Sequence, residues 1–142
     1  GVPIVGVDSA ELARRAVAAA VGDAATGAAV LRAAGARDHY LSLPGADPIV
    51  LAPGEDPAGP AAGRPLIAIG DARAPDGAPG IGGRSPAALG RLAADGAPAA
   101  LLALVRERLA AGAVDDAASL EPRYVAPPRG VASPDAAWRP DL

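Results

Sequence analysis

The sequence predicts an α/β domain with a mixed β-sheet flanked by helices. Three observations predict it. Short apolar runs bounded by glycine or proline recur along the chain, as buried strands do. Amphipathic stretches with N-cap residues alternate with them. Finally, 142 residues is enough for one domain with a core of its own.

The first run, PIVGV at 3–7, reads as a buried strand. Asp8 follows as the N-cap of a helix, with Glu11 three residues on in the capping-box arrangement. Leu12, Ala16, Val17 and Ala20 lie on one face of that helix, which ends near Gly22. AAVLRAAG at 28–35 and HYLSLP at 39–44 read as two strands joined by a corner at Arg37 and Asp38, and PIVLAP at 48–53 continues them as an antiparallel meander. GEDPAGPAAGRP reads as a loop, and PLIAIGDA at 65–72 as a further buried strand.

Ser85 and Pro86 stand at N-cap and N1 of a helix expected to run through Ala94. Asp95 with Pro98 is expected to start a second helix through Ala111, stopped by Gly112. In it Leu101, Val105 and Leu109 form the apolar stripe, broadened by Leu102 and Leu104, while Arg106, Glu107 and Arg108 are expected to face water. A single domain over 1–125 with a proline-rich tail over 126–142 follows from this order.

Composition narrows the function. Leu, Val and Ile number 30 of 142 residues with no Phe, against 39 Ala, so the core is expected to be shallow and lined by alanine. All 13 basic residues are Arg, and 16 acids outnumber them, so no general positive field favours direct nucleic-acid binding. Cysteine is absent, which excludes disulfides and thiolate metal sites and is compatible with the cytoplasm. No charge-free run of 18 apolar residues and no leader pattern point to a membrane span or export.

Catalytic candidates are few. His39 is the only histidine, so a nucleophile–histidine–acid arrangement can be assembled only around it. In a strand beside Tyr40 it reads as a structural residue. No zinc-ligand spacing is present. GIGGRS at 80–85 sets glycines before a helix N-terminus but lacks the lysine and spacing of a P-loop, and reads as a flexible loop. Asp115 and Asp116 read as a solvated turn after a helix, and Trp138 as a docked or partner-seeking aromatic in the tail.

The order GVPIVGVDSAEL, AAVLRAAGARDHYLSL, PLIAIGDA, a helix ending RLAAG, then LEPRYVAPP resembles the second half of the TsaB (YeaZ) family, which takes part in threonylcarbamoyladenosine synthesis on tRNA. That family carries D-A-R-x-G-E-V-Y in its meander and closes with E-P-x-Y-x-R. Here the corresponding stretches read GARDHYL and EPRYVA, with Arg37 and Tyr124 on matching positions, Gly35 in place of Asp, and Ala126 in place of the closing Arg.

The resemblance implies one half of an actin/Hsp70/sugar-kinase-like (ASKHA) fold. It also implies a non-catalytic partner subunit, without cofactor, metal or catalytic residues of its own, that supports transfer by a TsaD-like subunit together with a TsaE-like ATPase. The family's amino-terminal half, which carries D-T-S in its first strand and serves for homodimer formation and for meeting TsaD, has no counterpart here. Under this resemblance EPRYV is expected to be a closing edge strand, with Tyr124 over the shallow core and Pro127 and Pro128 preventing further pairing. Two alternatives stand beside it: a hydrolase, since related proteins carry a glycoprotease label, and a small-molecule-binding domain using the loop at 71–84.

Overall fold

A computed structural model describes residues 2–34, 38–118 and 120. Its elements are α1 (Ser9–Val21), β1 (Ala29–Ala34), β2 (Asp38–Ser42), β3 (Ile49–Leu51), a single helical turn α2 (Ala58–Ala61), β4 (Leu66–Ile69) and α3 (Pro86–Ala110). The strands form one mixed sheet in the order β3-β2-β1-β4. β1, β2 and β3 make the expected antiparallel meander, with Leu31 opposite Leu41 and Tyr40 opposite Val50. β4 returns parallel to β1, placing Val30 beside Ile67.

α1 begins as expected. The Asp8 carboxylate accepts from the backbone N–H groups of Ala10 and Glu11, each at 2.8 Å, satisfying two donors that the first turn leaves free. Ala10, Ala13, Ala16 and Val17 are its buried residues. Ala20, expected on the inner face, is exposed.

Alternation along the strands divides the core in two. Val30 and Ile67 point to one face and pack with Val17, Leu89 and Ala93 of the helices. Ala29, Leu31, Leu41 and Leu66 point to the other, where Ala61 of α2 and Ala72 cover them. Both long helices therefore lie on one face of the sheet, and the other is covered by α2 and irregular chain. Among the described residues 11 of the 21 buried apolar side chains are alanine, which makes the core as shallow as its composition implied.

Three expectations are corrected. PIVGV is not a strand: Ile4 makes one isolated bridge to Asp115 and is 39% exposed. A run of apolar residues becomes a strand only with a neighbour to pair along its length, and among the described residues this one bridges a single residue. The two expected helices of 86–111 are one, with Pro98 inside it. Proline removes one hydrogen bond and crowds the preceding turn, but Pro98 is exposed while Ala93, Ala100 and Leu104 on the opposite side are buried, and that packing carries the helix through.

The inward stripe is also rotated from the expected one. Leu104 is buried, whereas Leu101 and Leu109 are each 40% exposed. Close backbone approach sets this rotation. A Cβ on Gly90 would stand 1.6 Å from the Ala68 carbonyl oxygen, and one on Gly96 would stand 3.2 Å from the Ala16 Cβ, so Gly90 faces the sheet and Gly96 faces α1. Arg108 consequently does not face open water. It donates to the Gly6 carbonyl at 2.6 Å and to Glu11 at 2.8 Å, tying the C-terminal turn of α3 to α1 and the segment before it. Glu107 likewise pairs with Arg15.

Candidate functional site

α1 carries an arginine inside its buried row. Arg14 lies four residues after Ala10 and three before Val17, so helical spacing turns it toward the sheet. Its guanidinium reaches the ends of β1 and β2 and donates to the carbonyls of Ala28 at 3.5 Å and Ser42 at 3.4 Å, both long bonds. Burial draws the Arg14 pKa below its ordinary value, with Asp8 and Glu11 partly restoring it.

Ser42 ends β2 on the same side. Its neighbour Leu41 points to the opposite core and its register partner Val30 to the helix face. Ser42 is 4% exposed, and its hydroxyl oxygen has no hydrogen-bond partner among the described residues. A buried hydroxyl without a partner is uncommon in a folded domain. Arg14 and Ser42 together line an open cleft of about 480 Å³ between α1 and the β2–β3 connection. Asp8, Glu11 and Asp47 also line it, as do Leu43 and Pro44. Asp8 and Asp47 are exposed and Glu11 half-buried, so the carboxylates stand nearer to solvent than Ser42 does.

The residues singled out in the sequence lie elsewhere. Arg37 and Tyr124 fall outside the described residues, as do Trp138 and the expected EPRYV edge strand. His39 is half-buried in β2 opposite Ala33 and Leu51, and lines a smaller cleft of about 320 Å³ with Glu55, Asp56 and Arg73. In GIGGRS, Gly82 and Gly83 both have positive φ, 58° and 75°, while Ile81 and Arg84 exchange backbone hydrogen bonds across them. This is a tight two-residue turn of the primed type, which needs glycine for its backbone. With the preceding loop it forms a cleft of about 590 Å³ lined by Arg73, Asp76, Arg84 and Ser85.

Asp115 is structural: its carboxylate accepts from the Gly6 N–H at 2.7 Å, and its own N–H donates to Ile4. Among the described residues no three His, Asp or Glu side chains are grouped so as to hold a metal ion.

No family model, curated protein or solved structure matches the chain.

A second surface feature is apolar. Leu101, Leu102 and Leu109 are exposed along α3, Leu102 by 58%, with Val105 half-buried among them. Leu101, Val105 and Leu109 recur every four residues and share one stripe, with Leu102 at its edge. Near the C-terminal end of the helix Val114 and Leu120 are also exposed, beside Ile4. α3 has the length and mean hydropathy, 1.4 over 18 residues, of a helix able to cross a membrane. Its inner face, however, packs on β4 and α1.

The sequence held one signal for the Arg14 cleft, an arginine in an alanine row, and none for Ser42. An unpartnered hydroxyl appears only once the strand order and the helix above it are known.

Proposed function

We propose that the chain is the TsaB-like carboxy-terminal module of a tRNA-modifying assembly and acts as a non-catalytic partner in threonylcarbamoyl transfer to adenosine. One observation carries the reading. Residues near the two ends of the resemblance meet in space: Ile4 bridges Asp115, and the Leu120 side chain stands 3.0 Å from where a Gly6 Cβ would be. Between them, the order of helix, meander, returning strand and helix follows the order of the resembling segments.

The exposed stripe of α3 gives the module a surface for another protein. Contiguous apolar residues on a soluble domain commonly mark a contact, and here they lie opposite the face that packs on the sheet. The occupant that fits the resemblance is a TsaB-like amino-terminal domain, which in turn meets the TsaD-like subunit. The finer assignment to one half of an ASKHA fold, and the cytoplasmic location, belong to this same proposal.

Reconstitution tests it. Transfer is measured as threonylcarbamoyladenosine in digested tRNA, with TsaD-like and TsaE-like subunits and a TsaB-like amino-terminal domain present. Product is expected only when this chain is added, and the chain alone is expected to turn over neither peptide nor ATP. Full product without the chain would overturn the proposal.

A further inference from the structure

We propose that the cleft between α1 and the β2–β3 connection binds a small zwitterion, an α-amino acid, whose carboxylate meets Arg14 and Ser42 and whose ammonium group faces Asp8 and Glu11. Two independent observations point to a ligand. Arg14 is a half-buried cation that the chain itself gives two long bonds to carbonyl oxygens. Ser42, more than nine-tenths buried in the same wall, has a hydroxyl with no partner among the described residues. The Ser42 oxygen has under 1 Å² of accessible surface, so a carboxylate accepts from both groups only once it has drawn the guanidinium off its two long bonds and opened the way to the hydroxyl.

The sign of charge around the cleft selects among carboxylates. Asp8, Glu11 and Asp47 line it as well as Arg14. A phosphate or other dianion would face these acids with one cation in its favour, and a simple amine would be opposed by Arg14. A molecule carrying both charges matches both parts of the wall. The Asp8 oxygen that caps α1 is already engaged, and Glu11 is tied to Arg108, so these carboxylates are held in place. Leu43, Pro44 and Pro48 complete the lining and favour an apolar side chain on the ligand. A volume of about 480 Å³ accommodates an amino acid with water around it. This site is separate from the α3 stripe and does not depend on the accessory role proposed above.

The test is a titration of the isotopically labelled full chain followed by nuclear magnetic resonance. L-valine is expected to shift the amide signals of residues 8–14 and 42–47 saturably, with millimolar or tighter affinity. Acetate, ethylamine and inorganic phosphate are each expected to bind at least about tenfold more weakly, the equivalent of about 1.4 kcal/mol. Ser42→Ala should weaken L-valine several-fold while leaving the fold intact, since it removes a group without a partner. Arg14→Gln should abolish binding, and Arg14→Lys, which keeps the charge, should retain part of it and serves where Arg14→Gln does not fold. No saturable shift with L-valine would overturn the proposal. So would equal binding of acetate or phosphate, or an unchanged affinity in Ser42→Ala.

Discussion

Gly90 of α3 lies directly on Ala68 of β4, so close that a Cβ at position 90 would stand 1.6 Å from the Ala68 carbonyl oxygen. In an exposed helix, replacing glycine by alanine stabilises by about 1 kcal/mol. At this position the added methyl must push the helix off the sheet. Gly90→Ala is therefore expected to destabilise by up to about 2 kcal/mol, the overpacking cost of about 1–3 kcal/mol with that gain subtracted. Urea unfolding checks it, and a raised midpoint would mean that α3 does not rest on β4 at this residue.

The rotated stripe makes a second prediction. Leu104 is 4% exposed and Leu101 40%. Leu104→Ala should cost about 2–4 kcal/mol, whereas Leu101→Ala and Leu109→Ala should each cost less than about 1 kcal/mol. The three unfolding midpoints decide which row faces inward, and equal losses would contradict the assignment.

Pro98 interrupts α3 on its exposed side. Pro98→Ala restores a donor to the Ala94 carbonyl and relieves the crowding of the ring, so it should stabilise by about 1–3 kcal/mol. A loss of stability would show that the proline bends the helix onto α1 in a way the fold requires.

Arg108 joins three elements by two bonds, yet its side chain is 35% exposed and that of Glu11 43%. Solvent screens such a pair, and the Glu11–Arg108 coupling in a double-mutant cycle should stay below about 1 kcal/mol and shrink in high salt. The local effect should be larger than the global one. Arg108→Ala is expected to speed hydrogen exchange at Gly6 and Asp115 well before it lowers the unfolding midpoint much. Unchanged exchange there would mean that Asp115 alone holds the 2–7 segment.

Local signals in the sequence were sufficient where the chain's own neighbours decide structure. Asp8 caps α1 because its carboxylate reaches N–H groups two and three residues away, and the meander follows from alternating runs separated by short connections. They were insufficient where a distant surface decides. PIVGV looks like a strand, but among the described residues only Asp115 bridges to it. Either leucine row of α3 is apolar enough to face inward, and the choice falls to Gly90 and Gly96, whose role depends on Ala68 and Ala16. Of the candidate site, neither Arg14 nor Ser42 is singled out in the sequence: Arg14 stands as a charge in an alanine row, a signal that sequence reasoning missed, and Ser42 is an ordinary strand residue until its surroundings are known.

We propose that this module works by contact with another protein through the outer face of α3. The most direct measurement is its association with a TsaB-like amino-terminal domain by isothermal titration calorimetry, for the chain as it stands and for Leu102→Asp. The substitution places a charge at a position 58% exposed, so the unfolding midpoint should not change by more than about 0.5 kcal/mol in stability. Saturable binding is expected for the unaltered chain, and at least about a tenfold weaker affinity for Leu102→Asp, about 1.4 kcal/mol. Equal affinity for the two chains, or no binding by either, would contradict it.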